Sequence, residues 1–218
     1  MPATNILGIY SSTIILGGKI VLNIKVFSDF ACPFCYLATR IFDRLKKDKV
    51  KFTVEWIPYE MHPDIPVEGR SVESKHPKAY ADKMFEMQNN MGAEYGIKYN
   101  KQEMDFNTHR ALLVGEYAKT VGKYDEFSKG VFKAYFVDLK NIGKNEILDQ
   151  VAKEAGLNID EMNQLIDTGK FDSKLEEAKE LIMKFEVEGT PTFIINDKHK
   201  MVGIRPYDQM KRSFLAYE

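Results

Sequence analysis

The chain has 218 residues, of which 44% are hydrophobic and 29% charged, and its net charge is −1 at pH 7. This composition is typical of a globular protein with one large domain or two small ones. The balanced charge does not indicate a nucleic-acid-binding surface. No apolar stretch approaches the roughly 20 residues that a membrane-spanning helix needs, so we expect neither a nucleic acid nor a membrane as partner.

The first 19 residues are unlike the rest of the chain. Residues 1–18 contain no charged side chain, and polar residues such as Asn5 and Ser11 interrupt their apolar positions. The segment lacks the basic region and the small-residue cleavage site that are typical of a signal peptide. We therefore expect residues 1–19 to be an N-terminal extension, either an extra strand or a loosely ordered tail, and the protein to be cytoplasmic.

The first predicted strand leads directly into the only two cysteines of the chain. Residues 20–27 are rich in β-branched and apolar side chains, which predicts a strand. The motif Cys32-Pro33-Phe34-Cys35 follows, and apolar side chains then recur at helical spacing. Pro33 suits the first turn of a helix, where a missing N–H costs nothing. The pattern therefore predicts Cys32 at a helix N-terminus and Cys35 one turn further in.

This placement favours thiol–disulfide chemistry. The helix N-terminus stabilises an anion, so the pKa of Cys32 should be lowered and its thiolate should act as the nucleophile. Cys35 is close enough to resolve a mixed disulfide by bonding to Cys32. The alternatives are half of a zinc site or two unrelated thiols. A zinc site needs two further ligands, but the four histidines show no paired spacing, so we expect no metal and no other cofactor. In the cytosol such a pair is expected to cycle rather than to form a structural disulfide.

The middle of the chain is predicted to be mostly helical. Residues 50–57 alternate apolar and polar side chains and predict a strand, parallel to the first and reached by a right-handed crossover. Residues 58–70 contain three prolines and should leave the sheet as extended chain. Helical spacing then resumes with Ala81, Met84, Met87 and Met91. Further helices are predicted over about residues 107–121, 124–137, 145–155, 158–169 and 175–185.

The C-terminal part returns to the sheet. Residues 192–195 predict a strand, Asn196 and Asp197 a turn, and residues 201–204 the second strand of a hairpin. Residues 206–216 predict a final helix that begins near Pro206. The segment Gly189-Thr190-Pro191 precedes the hairpin, and on its own it indicates only a turn.

Several separated motifs together resemble one family. The CPFC motif between a strand and a helix, with a distant Gly-Thr-Pro-Thr-Phe at residues 189–193, resembles the thioredoxin fold. The long helical insertion resembles the DsbA family. Segments 27–36, 56–64, 107–110 and 132–136 resemble its FrnE-like branch. The resemblance covers about residues 20–218, and the motifs occur in the expected order.

The resemblance implies an α/β thioredoxin-like fold, with a central mixed sheet flanked by helices. It implies a discontinuous thioredoxin-like domain over residues 20–64 and 186–218 and a helical insertion domain over residues 65–185. In this family the residue equivalent to Pro191 is cis and faces the two cysteines, and the backbone of the residue before it, here Thr190, pairs with a substrate peptide.

One residue of the motif departs from DsbA itself, which has Pro-His where this chain has Pro33-Phe34. The Phe34 side chain can neither donate a hydrogen bond nor carry charge toward Cys32. We therefore expect weaker stabilisation of the thiolate. Since a stabilised reduced form is what makes a strong oxidant, we also expect weaker oxidising power than in DsbA.

Three functions compete at this stage. The first is a thiol–disulfide oxidoreductase that exchanges disulfides with protein or peptide thiols through Cys32 and Cys35. The second is a glutathione-dependent isomerase or transferase, because hydroxychromene carboxylate isomerases and kappa-class transferases resemble the same branch. Those enzymes typically have serine in place of Cys32 and need no second thiol, so the retained pair favours the first function. The third is a peptide-docking module in which the disulfide is idle.

Other conspicuous residues favour structural roles. His109 opens a predicted helix, where packing or capping is commoner than catalysis. The methionine stripe at positions 84, 87 and 91 indicates core more often than an adaptable peptide groove. Trp56 is expected in the core of the sheet. Lys25 or Glu55, on the two predicted strands, is a candidate proton-transfer group beneath Cys35 if its side chain is buried there.

Overall fold

The computed structural model describes residues 15–16 and 19–217, and a mixed sheet forms its centre. The described strands are β1 (Ile15–Leu16), β2 (Lys19–Ile20), β3 (Leu22–Ser28), β4 (Phe52–Pro58), β5 (Arg70–Ser71), β6 (Met104–Asp105), β7 (Thr192–Ile195) and β8 (His199–Val202). The described α-helices are α1 (Pro33–Lys47), α2 (Lys78–Ala93), α3 (His109–Thr120), α4 (Tyr124–Phe136), α5 (Asn145–Glu154), α6 (Ile159–Asp167), α7 (Asp172–Lys184) and α8 (Tyr207–Leu215). A 3₁₀ turn spans Val72–Ser74.

The central sheet has the strand order β4-β3-β7-β8. β3 and β4 run parallel from the pair Leu22 and Phe52 to the pair Ser28 and Pro58, with α1 as the crossover between them. This confirms the predicted strand–helix–strand unit, since parallel neighbours need such a connection. β7 pairs antiparallel with β3, and β8 antiparallel with β7. A mixed sheet with a long helical insertion is the architecture that the resemblance implies.

Both faces of the sheet are covered by helices. On one face Trp56 and Phe193 pack with Phe42 of α1 and Phe214 of α8, which confirms the expected burial of Trp56. On the other face Phe27, Ile57 and Ile194 pack against residues in and after α7. A third core lies within the helical segment and extends to Phe30, Cys32, Cys35 and Tyr36. The N-terminus of α1 is therefore where the sheet and the insertion meet.

The observed helices α3 to α8 lie within three residues of their predicted bounds, but two features differ. β8 begins at His199 rather than Met201, because Asn196 and Asp197 both adopt positive φ and complete the turn early. The methionine stripe on α2 is not simple core. Met87 is 39% exposed, and Gly92 is the one buried residue in that helix.

The predicted N-terminal extension is described only in part. β1 and β2 pair antiparallel, whereas residues 1–14, 17 and 18 lie outside the described residues. The division into a discontinuous sheet domain and a helical domain stays a prediction. Among the helices that the structure describes, none is both long and apolar enough to cross a membrane.

Candidate active site around Cys32 and Cys35

The two cysteines sit at the start of α1, where β3 ends. Cys32 occupies the N-cap position with extended backbone, and Pro33 takes the first helical position. The Cys35 N–H donates to the Cys32 carbonyl at 3.1 Å, which closes the first turn. Both thiols are reduced, and their residues are 3% exposed for Cys32 and 0% exposed for Cys35. The predicted placement at a helix N-terminus is confirmed.

The surroundings of Cys32 favour its thiolate. Burial alone would raise the pKa of this thiol. Hydrogen bonds from the Cys35 thiol, from Thr190 and from the N–H groups of Cys35 and Phe34 outweigh the burial, so the pKa of Cys32 is lowered. Those N–H groups belong to the first turn of α1, where the positive end of the helix dipole favours an anion. Cys32 is thus the thiol prepared to ionise.

The surroundings of Cys35 do the opposite. Burial and the adjacent Cys32 raise the pKa of the Cys35 thiol well above its usual range. The Ser28 hydroxyl and the Asp29 N–H hydrogen-bond to the sulfur and lower the pKa, but they do not outweigh burial. Of the two thiols, Cys32 therefore ionises more readily, whereas Cys35 keeps its proton.

The segment before β7 lies against Cys32, 158 residues away in the chain. The Thr190–Pro191 peptide bond is cis. The Cys32 thiol donates to the Thr190 carbonyl at 3.4 Å, and the Thr190 hydroxyl donates to the Met61 sulfur at 3.1 Å. Pro191 is buried, and its carbonyl accepts from the Gly203 N–H at 2.8 Å in the hairpin. The fold thus brings Thr190 and the cysteine motif together.

A cavity of about 340 Å³ opens beside Cys32 and is called the Cys32 cleft below. Pro33, Phe34 and Thr190 form part of its wall. Its other lining residues come from the chain after β4, from the 3₁₀ turn, from α2, from the β6 region and from the end of α4; they include Met61, His62, Lys75, Tyr80, Met84 and Asp105. The expectation that Met84 is simple core is wrong, because this side chain faces the cleft.

Sequence reasoning missed Asp29. This residue is 1% exposed, and its carboxylate accepts from the Ala31 N–H at 3.0 Å and from the Met61 N–H at 2.6 Å. Burial raises the pKa of Asp29 to about 6, although those hydrogen bonds lower it. Asp29 therefore joins the loop that carries Cys32 to the segment that carries Met61. An acidic residue three positions before Cys32 was visible in the sequence, but its burial was not.

The other candidate residues lie elsewhere. Lys25 donates to Asp197 at 2.5 Å and lies 3.6 Å from Glu55, whose side chain is 56% exposed. Neither is among the groups that hydrogen-bond to Cys35. His109 begins α3, and its Nδ1 lies 3.1 Å from both carboxylate oxygens of Glu60. The hydrogen bond that the His109 ring donates to the Glu60 carboxylate raises the pKa of His109, and the ring does not line the Cys32 cleft.

Comparison with known sequences agrees with this geometry. The chain is 28% identical over 182 residues to the protein YwbO of Bacillus subtilis (strain 168), and the match covers 81% of this chain and 88% of YwbO.

Solved structures share the fold. A probable DsbA oxidoreductase from Streptomyces coelicolor superposes with a TM-score of 0.80 at 18% identity, over 90% of this chain and 89% of that one. A 2-hydroxychromene-2-carboxylate isomerase gives 0.67 at 17% identity, over 89% and 93% of the two chains. The cytosolic disulfide reductase DsbM from Pseudomonas aeruginosa, solved with GSH, gives 0.66 at 14% identity, over 89% and 97%.

A family model defines the assignment. The model of the DSBA-like thioredoxin domain matches residues 23–214, which include β3, the cysteine motif, the whole helical insertion and the hairpin of β7 and β8. With both thiols at the start of α1 and Thr190 against Cys32, the chain belongs to the family of DSBA-like thioredoxin domains.

Proposed function

We propose that this protein is a thiol–disulfide oxidoreductase that exchanges disulfides with protein and peptide substrates. Cys32 is the attacking thiol, Cys35 the resolving thiol, and Thr190 and Pro191 position the substrate backbone. The observation that carries the proposal is the position of the two thiols: Cys32 lies against the Thr190 carbonyl and lines the cleft, whereas Cys35 is fully buried. The pKa of Cys32 is lowered beside a cleft, whereas the pKa of the fully buried Cys35 is raised.

The proposed reaction has two exchange steps. The Cys32 thiolate attacks one sulfur of a substrate disulfide, forms a mixed disulfide and releases the other substrate sulfur as a thiolate. Cys35 then loses its proton and attacks the Cys32 sulfur, which releases the remaining substrate thiol and leaves a Cys32–Cys35 disulfide. The substrate disulfide gains two electrons and the enzyme loses two. Run in reverse, the same steps oxidise a substrate dithiol.

The proposed setting is the cytoplasm, with protein or peptide thiols as partners and glutathione as a second thiol partner. The structural likeness to DsbM, a cytosolic disulfide reductase that was solved with GSH, supports both the cytoplasmic setting and glutathione as a partner. In this compartment small thiols keep cysteines reduced, so a cycling site with two free thiols fits better than a structural bond.

A glutathione-dependent isomerase is the alternative, favoured by the structural likeness to the 2-hydroxychromene-2-carboxylate isomerase. The presence of Cys35 argues against it. An isomerase needs no second thiol, whereas here a thiol sits in the first turn of α1 and hydrogen-bonds to Cys32.

Two single variants distinguish these functions. Cys32→Ser should abolish the refolding of scrambled ribonuclease, because a serine hydroxyl does not exchange with disulfides. Cys35→Ser should accumulate mixed disulfides with the substrate, because nothing remains to resolve them. Mass spectrometry of the trapped adducts gives the second readout.

A parallel assay with glutathione and an electrophile tests the alternative. An isomerase or transferase should tolerate Cys35→Ser in that assay. If Cys35→Ser retains full activity on scrambled ribonuclease and traps no adduct, the oxidoreductase proposal fails.

A further inference from the structure

The lining of the Cys32 cleft contains two chemically different sets of side chains, called the apolar wall and the polar wall below. One is apolar and includes Met61, Met84 and Phe85. The other is polar and includes Lys75 and Asp105. With about 340 Å³, the cavity lies at the small end of ligand clefts, which hold about 300–1,000 Å³, so it suits one or two side chains of a larger substrate.

The apolar wall is open to solvent and adaptable. Tyr80, at its rim, is 50% exposed, and α2 contributes little to the core. Methionine side chains such as Met61 and Met84 have several rotatable bonds and adjust to apolar groups of different shape. Because this exposed apolar surface lies beside Cys32, it favours the binding of substrates that carry a bulky apolar side chain near their cysteine.

The polar wall holds a cation that has no carboxylate partner among residues 15–16 and 19–217. The Lys75 ammonium lies 3.3 Å from Nδ1 and 3.4 Å from Nε2 of His62. Burial, followed by the charge of Lys75, lowers the pKa of His62, so the ring is neutral near pH 7 and adds no second charge beside Lys75. Lys101, by contrast, is paired with Asp82. Asp105 also lines the cleft: burial raises its pKa, and the charges of His62 and Lys75 lower it, so Asp105 offsets part of the Lys75 charge without a direct ion pair in the described structure.

We propose that the Cys32 cleft selects polypeptide segments whose cysteine lies within a few residues of both a bulky apolar side chain and an acidic one, and that Lys75 recognises the acidic group. The proposal rests on the proposed function and adds a substrate class to it. Asp105 limits the preference because its charge repels an acidic side chain. Glutathione disulfide supplies carboxylates but no bulky apolar group, so it should use only half of the cleft.

The test uses four peptides that differ only near a single cysteine, which is activated as a neutral 2-thiopyridyl disulfide. They carry Phe with Glu, Phe with Lys, Ala with Glu, or Ala with Lys. Reduced enzyme attacks the peptide sulfur, forms the Cys32–peptide disulfide and releases thiopyridone, whose absorbance reports the first step. At low salt we expect the peptides with Glu to react about three- to fivefold faster than those with Lys, as for exposed ion pairs. We expect the peptides with Phe to react about tenfold faster than those with Ala, as for partial burial of an aromatic ring.

Salt and charge variants separate the two walls. In about 1 M salt the preference for Glu should disappear, because the screening length is then about 3 Å, while the preference for Phe should remain. Lys75→Glu should reverse the charge preference without changing the preference for Phe. Asp105→Asn should strengthen the preference for Glu. Lys198→Glu is the matched control, because this exposed lysine lies in the turn at the far end of β7 from Thr190, and it should change neither preference.

The outcomes separate this proposal from the proposed function. Equal rates for all four peptides, with normal trapping by Cys35→Ser, overturn the substrate preference and leave the oxidoreductase intact. A uniform loss of rate in Lys75→Glu also overturns it, because the lysine then does not discriminate between peptides. Glutathione disulfide reacting faster than the Phe and Glu peptide overturns the commitment to polypeptides. Failure of every peptide to react contradicts the proposed function itself.

Discussion

At the scale of single residues, the site depends on one difference between two otherwise identical thiols. Cys32 touches the cleft and receives hydrogen bonds that lower its pKa. Cys35 is fully buried, and burial raises its pKa. In the proposed reaction the two thiols have different roles, because attack needs an accessible thiolate and resolution needs a second thiol that stays protonated until the mixed disulfide forms.

This difference predicts selective alkylation. Treating the reduced protein with a limiting amount of iodoacetamide should label Cys32 roughly tenfold or more faster than Cys35, because only the thiolate reacts. The pH midpoint of Cys32 labelling should lie below the ordinary thiol value of about 8.5. Peptide mapping by mass spectrometry measures both rates. Faster labelling of Cys35 would reverse the assigned roles.

The second prediction concerns the side chain of Phe34 and the redox potential of the site. Its backbone N–H helps the Cys32 thiolate, but its ring adds no hydrogen bond or charge. Phe34→His should stabilise the thiolate and make the site more oxidising. A tenfold change in the redox equilibrium corresponds to about 30 mV, and a shift of that order is expected. Equilibration with glutathione buffers measures it.

Phe34→Leu is the control for that shift, since it stays apolar and should leave the potential near that of the parent protein. An unchanged or lowered potential in Phe34→His would show that the side chain at this position does not tune Cys32.

At the scale of elements, the side chain of Tyr99 joins the helical insertion to the first turn of α1. Tyr99 is 1% exposed, and its hydroxyl donates to the Pro33 carbonyl at 2.8 Å. Its ring meets Tyr36 of α1 edge-on at 6.1 Å and Phe136 of α4 at 5.7 Å. The first turn of α1 is therefore held by contacts with the insertion as well as by its connection to β3 of the sheet.

Removing that hydroxyl should be measurable. Tyr99→Phe keeps the ring contacts and loses one hydrogen bond, so we expect about 1 kcal/mol less free energy of unfolding in urea titrations. Tyr80→Phe is the matched control, because Tyr80 is half exposed and should change stability by less than about 0.5 kcal/mol. Equal effects of the two variants would argue against the fastening role of Tyr99.

At the scale of the whole molecule, Asp29 links stability to pH. Burial raises its pKa to about 6 from an unperturbed value of 3.8, so the folded state holds this proton more tightly than the unfolded state. The stabilisation is complete below about pH 4 and is lost as the pH rises through 6. Two units of pKa correspond to roughly 3 kcal/mol.

Asp29→Asn should remove this contribution. The difference in unfolding free energy between the parent protein and the variant should therefore change with pH between about 4 and 6 and level off above 7. Urea titrations across this range measure it. Glu68→Gln, at an exposed carboxylate, is the control for the substitution of an acid by its amide. A flat difference for Asp29→Asn would contradict the raised pKa.

The local pattern of the sequence was sufficient to predict the four strands of the central sheet, the α-helices and the position of the cysteine motif between a strand and a helix. The alternation at residues 50–57 and the helical spacing after the motif follow from which side chains face a core, and this is a local property. The position of Cys32 before Pro33 likewise predicted a helix N-terminus, because proline suits the first turn. The branch of the family within DsbA-like proteins stays a resemblance of motifs.

Long-range contacts decided the rest. Thr190 meets Cys32 because β7 pairs with β3, and the buried Asp29 accepts from Met61, which follows the neighbouring strand β4. Helical spacing on α2 predicted core, yet Met84 borders a cleft, since periodicity shows which face is apolar but not what covers it. The sequence by itself determined the reactive groups and their helix, whereas the tertiary structure decided their burial, their pKa values and the cleft beside them, because these depend on groups distant in the chain.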